Sequence, residues 1–159
     1  MVNTLLEMVD LFQANKIGYC LIGGLAIMLY QGRASTVDID FYVLVEDLEI
    51  VAKLLKKNKY SVKSAGEYQL KAKIGKVPID LLYADHYVGI DVVKRAIEMK
   101  LGDRFVKVAT PEDLIVLKTM ANRSVDLRDI EELREIYKGK LDEVYIQKKL
   151  DQVGKLLSP

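Results

Sequence analysis

Three patterns in the sequence predict an α+β fold: a mixed β-sheet flanked by helices and carrying a C-terminal helical layer. Short apolar or alternating runs of strand character crowd the first two thirds of the chain. Helical periodicity takes over in the last third. Between them stands a helix start, Thr110-Pro-Glu-Asp113, in which Thr110 can cap, Pro111 suits the first helical position, and Glu112 and Asp113 favour the positive helix end. The 159 residues are the size of one domain, and 50% of them are hydrophobic, enough for a full core. A single domain over 1–159 is expected, with an α/β core over about 1–109 and helices over about 110–159.

Taken in order, Leu5, Leu6, Val9 and Phe12 recur at helical spacing and predict an amphipathic helix over about 3–15, stopped by Gly18. Tyr19–Ile22 reads as a short buried strand, 24–30 as a helix and 37–45 as an alternating strand. Leu48, Val51, Leu54 and Leu55 mark a helix ending near Lys57-Asn58. Strands are expected at 60–63 and 68–74, with Ala65-Gly66 as the turn between them, and Gly75-Lys76 suggests a tight hairpin into a strand over 77–83. Residues 90–98 look helical and 105–109 form a short strand. The helix begun at Thr110 runs to about Asn122, a second runs from near Asp126 to before Gly139, and a third covers about 142–153.

The most informative segment is Val37-Asp-Ile-Asp-Phe-Tyr-Val-Leu-Val45. Alternation sends Val37, Ile39, Phe41, Val43 and Val45 into the core and leaves Asp38 and Asp40 together on the other face. Two like charges on one face repel, a penalty that a divalent cation would remove. A solvated strand face accounts for the same pattern. Val77-Pro-Ile-Asp-Leu-Leu-Tyr83 repeats it with Asp80. If the two strands are neighbours, three carboxylates converge, and two metal ions would neutralise them and clamp the attacking and leaving oxygens of a phosphoryl displacement. Upstream, Gly23-Gly24 can bring backbone N–H groups to a phosphate at a helix start. A plain strand-to-helix turn would use the same dipeptide.

Gly23-Gly24, then Arg33-x-x-Thr36-x-Asp38-Ile-Asp40, then Asp80 in an apolar strand resembles the polymerase-beta-like nucleotidyltransferase superfamily. The diglycine form is most similar to the AbiEii-type toxin branch, whose helical Lys, Ala, Arg, Asp, Asp motif is matched by Lys118, Ala121, Arg123, Asp126 and Asp129. The resemblance covers about 17–133 and implies a nucleotidyltransferase-like sheet, Mg²⁺, in two ions, as cofactor and a nucleoside triphosphate as substrate. It implies that Asp38, Asp40 and Asp80 are catalytic and bind metal, and that Gly23 and Gly24 hold the triphosphate. Arg33 and Thr36 would lie near phosphate, and Lys118 would approach the nucleotide from the helical layer. Arg123 is a phosphate contact or a helix-end charge. Asp126 and Asp129 are nucleotide-binding residues or a helix cap and its third residue. The implied activity is transfer of a nucleoside monophosphate to an acceptor hydroxyl on RNA, a protein or a small molecule. The alternative is an inactive nucleotide-binding module of a toxin–antitoxin or other paired system.

The net charge of +1 gives no global field that recruits nucleic acid, so any basic surface is local. The cluster Lys53, Lys56, Lys57 and Lys59 reads as helix-end charge, with an RNA footprint as the other reading. Cys20, the only cysteine, reads as a small buried hydrophobe, and His86, the only histidine, as a loop residue. Tyr30, Tyr83 and Tyr137 are expected at core edges. With no signal-peptide pattern and no bilayer-length apolar run, a cytoplasmic protein without a membrane partner is expected. A homo-oligomer or a partner protein stays open.

Overall fold

Every residue of the apolar run Tyr19–Ile22 is buried, and the run forms β1 inside a seven-stranded sheet ordered β3-β4-β5-β2-β1-β7-β6. This arrangement comes from a computed structural model that describes residues 1–33, 35–44, 46, 48–64, 68–84 and 87–157. The expected strand end at Val45, the turn Ala65-Gly66 and the loop residue His86 lie outside the described residues.

The elements follow in the order α1 (Val2–Ala14), β1, α2 (Gly23–Leu29), β2 (Ile39–Leu44), α3 (Leu48–Lys57), β3 (Ser61–Ser64), β4 (Gln69–Ile74) and β5 (Val77–Ala84). Then come α4 (Tyr87–Arg95), β6 (Ile97–Leu101), β7 (Arg104–Val108), α5 (Pro111–Ala121), α6 (Ser124–Ile136) and α7 (Glu143–Leu157). The sheet is mixed: β2–β5 and β1–β7 are parallel pairs, and the remaining pairs are antiparallel. The α+β class with a helical C-terminal layer is therefore as the sequence predicts.

Alternation along the strands gives each face of the sheet a different cover. On one face, Phe12 of α1 packs at 5.0 Å from the Tyr19 ring and edge-on to Phe41 at 5.2 Å. Further along the same face, Leu70 and Ala72 of β4 are buried, and α3 packs against β3 with Val51 and Leu55 buried. The other face carries Cys20, Asp40, Tyr42, Asp80 and Leu82, and α2, α4 and α5 pack around it. Cys20 is free and buried, as expected of a small hydrophobe. Tyr30 is buried with its hydroxyl donating to the Ala109 carbonyl at 2.9 Å, and Tyr83 is buried at the edge of the core.

The helical layer is tied to α4 by ion pairs. Asp113, 1% exposed, accepts from the Thr110 hydroxyl at 2.7 Å, from Tyr145 of α7 at 2.5 Å and from Arg95 of α4 at 3.3 Å. The Arg95 guanidinium stacks 3.8 Å above the Tyr145 ring, and Lys149 of α7 pairs with Asp91 of α4. The Thr110 cap and Pro111 at the helix start are as read from the sequence, with Asp113 N–H donating to Thr110 Oγ1.

Three details differ from the sequence reading. Residues 97–101 form strand β6, not the end of a helix, although Ile97, Met99 and Leu101 do alternate. Ile90, Val93 and Ile97 also fit helical spacing, and that overlap hides the change of period. Val37 is 74% exposed, because pairing in β2 begins only at Ile39. Helix α6 starts at Ser124 with Arg123 as its N-cap and no side-chain capping bond, so Asp126 and Asp129 are not a cap and its third residue.

Candidate active site

Register builds the centre of the site. Ile22 of β1 lies opposite Asp40 of β2, and Asp40 lies opposite Asp80 of β5, so both carboxylates leave the same face of adjacent strands about 4.8 Å apart. Ile79 and Leu81 beside Asp80, like Ile39 and Phe41 beside Asp40, are fully buried on the opposite face, and a slip of one residue would bury the carboxylates instead. Asp38 precedes the first pair of β2 and is held by the Thr36 hydroxyl, its short-range partner.

Gly23 ends β1 and opens α2 at a φ of +70°, a conformation that side chains other than glycine rarely adopt. A Cβ there would also collide with Asp40 Oδ2, and one on Gly24 would come within 2.9 Å of Thr36 Cβ. The diglycine is thus the space in which the Asp40 carboxylate and Thr36 sit. That close approach, more than turn formation alone, explains two successive glycines.

The helical layer supplies the facing wall. Lys118 on α5 donates to Asp126 Oδ1 at 2.8 Å and to Asp129 Oδ2 at 2.5 Å, both on α6. Arg123, between the helices, donates from Nε and Nη2 to the two oxygens of Asp126 at 2.8 and 3.1 Å. Asp126 is 1% exposed. Burial alone would raise its pKa, but the hydrogen bonds from Arg123 and Lys118 hold it at about 2. Lys118 is likewise opposed by burial, yet its two aspartates raise its pKa above the ordinary lysine value.

A cavity of about 970 Å³ lies between the two walls. Of the residues singled out in the sequence, it is lined by Gly23, Gly24, Thr36, Asp38, Asp40, Asp80, Lys118, Arg123 and Asp129. Two are not in its lining. Arg33 instead uses its backbone N–H to bond Glu132 at 2.8 Å, and Asp126 sits behind the wall, holding Lys118 and Arg123 in position. Ala121, the second residue of the helical motif, is exposed to the cavity. Gln69, Ser35, Ser124 and Arg128 also line it and were not anticipated. Arg128 could have been found from its helical spacing to Ser124, but Gln69 enters only because β4 pairs with β5.

The electrostatics single out Asp40. Burial first, then the charges of Asp38 and Asp80, push its carboxyl up to about 7, against a smaller opposing pull from Lys118 and Arg123. As they stand, no three of the described His, Cys, Asp and Glu side chains gather around one point as metal ligands. Asp80 Oδ2 accepts from Gln69 Nε2 at 3.0 Å and lies 3.5 Å from Lys71 Nζ, while Asp38 turns to Thr36. The donors nevertheless suit a hard divalent cation: they are carboxylate oxygens from adjacent strands, facing a cavity with room for phosphate.

The family described as nucleotidyl transferase of unknown function (DUF2204) matches residues 1–156. The chain belongs to this family. As a nucleotidyltransferase it is an enzyme, and divalent metal ions are general to such enzymes. No curated protein matches the chain. Among solved structures, the lincosamide antibiotic adenylyltransferase LnuA, lincomycin-bound, is similar with a TM-score of 0.66 at 18% identity, over 86% of this chain and 98% of that one. ANT(2")-Ia in complex with adenylyl-2"-tobramycin has a TM-score of 0.69 at 14% identity, over 99% and 98%. An antigenic nucleotidyltransferase-like protein from Paracoccidioides brasiliensis has a TM-score of 0.64 at 18% identity, over 98% and 87%. At these identities the likeness is one of fold. Among the described residues, no helix is long and apolar enough to cross a membrane.

Proposed function

We propose that this nucleotidyltransferase, acting as one domain, transfers a nucleoside monophosphate from a Mg²⁺-bound nucleoside triphosphate to an acceptor hydroxyl. The observation that carries this reading is the shared register of Asp40 and Asp80, facing a cavity lined by Gly23-Gly24 on one side and Lys118 and Arg123 on the other. Asp38, Asp40 and Asp80 would hold two Mg²⁺ ions, which would supply charge neutralisation at the phosphates when bound. Gly23 and Gly24 receive the triphosphate, with Thr36 beside it. Lys118, pre-positioned by Asp126 and Asp129, and Arg123, gripped by Asp126, face its negative charge. Outside the cavity lining, Arg33 is left with no contact to the nucleotide in this reading.

In the reaction an acceptor hydroxyl oxygen forms a bond to the α-phosphorus while the α–β phosphoanhydride bond breaks and pyrophosphate leaves. The hydroxyl proton passes to Asp80. Positioning and electrostatic stabilisation supply the rate enhancement. The Lys118, Ala121, Arg123, Asp126, Asp129 motif supports assignment to the AbiEii-type branch and a toxin-like role. The adenylyltransferases named above motivate including small-molecule acceptors in the test.

The test is incubation with each of the α-labelled ribonucleoside triphosphates, with Mg²⁺ or with a chelator, in the presence of total RNA, cell lysate or a hydroxyl-bearing small molecule such as an aminoglycoside or a lincosamide. A labelled product that requires the metal and disappears in Asp40→Asn is expected. Nucleotide binding with no pyrophosphate release under any condition would instead identify an inactive binding module.

A further inference from the structure

The row of paired residues that brings Asp40 opposite Asp80 continues outward. Lys71 of β4 lies opposite Asp80, and Lys63 of β3 lies opposite Lys71. Lys73, two residues further along β4, faces the same side. All three lysines are exposed, whereas Leu70 and Ala72 on the reverse face are buried. The register that puts the lysines outward is thus fixed by the core.

The fold accounts for these charges only in part. Lys63 directly opposite Lys71 is a like-charge cross-strand pair, which is destabilising. Among the described residues the only carboxylate paired with any of the three is Asp80, 3.5 Å from Lys71. Lysine on an outer strand guards against edge-to-edge pairing and so accounts for Lys63. That reason does not extend to Lys71 and Lys73, because β4 is paired on both sides. At a strand spacing of about 4.8 Å, the row sets the backbones of Lys71 and Lys63 about 5 and about 10 Å from that of Asp80, moving away from the cavity.

From this we infer that the open face of β3 and β4 is an acceptor track, and that the acceptor is a single-stranded nucleic acid whose terminal hydroxyl is presented at Asp80. A chain that bears one phosphate per unit and ends in a hydroxyl complements a line of cations that starts at the carboxylate facing the acceptor. Such backbone-tracking grooves bind single strands with little dependence on sequence. The inference rests on the reading of Asp80 given under Proposed function. It adds the chemical class of the acceptor and the surface that receives it.

The test uses the full chain without nucleotide and a fluorescein-labelled single-stranded oligoribonucleotide of about 16 nucleotides, titrated by anisotropy over a range of KCl concentrations. A DNA of the same sequence runs in parallel. The expected result is salt-dependent binding that Lys63→Gln/Lys73→Gln weakens by about tenfold or more, with a salt slope shallower by about 1.4, or about 0.7 for each lost phosphate contact. The melting temperature of that variant should not fall, since Lys63→Gln removes a like-charge pair, and its shift with Mg²⁺-nucleotide should not change. Equal binding of the DNA would assign the track to the phosphodiester chain alone, and preference for RNA would add recognition of the ribose. Unaltered affinity and slope in the double variant, no oligonucleotide binding by the native chain, or a protein as the labelled product in lysate would overturn the inference. Failure of the native chain to show any metal-dependent melting shift with any nucleoside triphosphate would instead strike at the proposed activity, and the oligonucleotide takes no part in that measurement.

Discussion

Asp40 couples chemistry to stability at a single residue. Its folded pKa of about 7 lies above the ordinary 3.8 of an aspartate, so its favourable contribution is complete below about pH 4 and is lost as the pH rises towards 7. In metal-free buffer, this group makes the protein more stable at about pH 5 than at about pH 7.5. Asp40→Asn should remove that part of the difference, keep or raise the melting temperature at neutral pH, and eliminate transfer. A variant that loses activity only by unfolding would make Asp40 structural. Gly23→Ala addresses the same carboxylate from the other side. The new Cβ would meet Asp40 Oδ2 on a backbone with a φ of +70°, and the strain should cost about 1–3 kcal/mol. Chemical denaturation should report that loss, together with weaker Mg²⁺-nucleotide binding.

At the scale of elements, the α5–α6 pair is joined through Lys118, Asp126, Asp129 and Arg123. The sequence alone suggests that Lys118→Met deletes a phosphate contact with little effect on stability. The geometry revises the second half of that expectation. Removing the ammonium leaves the buried Asp126 with Arg123 alone, and the expected loss is about 2–3 kcal/mol, below the full cost of breaking a buried pair. Nucleotide affinity should fall by about 1.5–3 kcal/mol, the range for a charged hydrogen bond. Titration calorimetry and urea unfolding separate the two effects, and unchanged affinity would confine Lys118 to structure. The same cluster sets an acid limit. Asp126, with its pKa lowered to about 2, contributes stability above about pH 4 that is lost as the pH falls towards 2. Asp126→Asn should flatten the acid limb of the melting temperature between those values.

For the whole molecule, the cavity is formed between the sheet face and the α5–α6 layer, so a ligand that bridges the walls should stabilise the folded chain. A nucleoside triphosphate with Mg²⁺ at about 100 times its dissociation constant should add about 2.7 kcal/mol. Differential scanning fluorimetry should register this as a rise in melting temperature that a chelator abolishes. No rise with any of the four nucleotides would oppose nucleotide binding. The layer is also clamped to α4 by Arg95, Asp113, Tyr145 and Lys149.

Much of this was legible in the sequence, because local periodicity and turn chemistry act over a few residues. The alternation around Asp38, Asp40 and Asp80, the two glycines at Gly23-Gly24, the Gly75-Lys76 hairpin and the Thr110-Pro111 helix start all express preferences of neighbouring residues. The strand Ile97–Leu101 escaped because Ile90, Val93 and Ile97 satisfy helical spacing as well, and only pairing with β7 breaks the tie. What tertiary structure decided was which strands are neighbours and which charges meet. Asp40 and Asp80 share a register position because β2 and β5 pair in parallel. Lys118 meets Asp126 and Asp129 because α5 folds back against α6, which replaces an apparent helix cap with a buried ion cluster. Lys71 and Lys63 line up with Asp80 because β4 and β3 extend the same sheet. Each of these juxtapositions joins residues from different elements, and their partners are fixed by burial of the opposite face rather than by spacing along the chain.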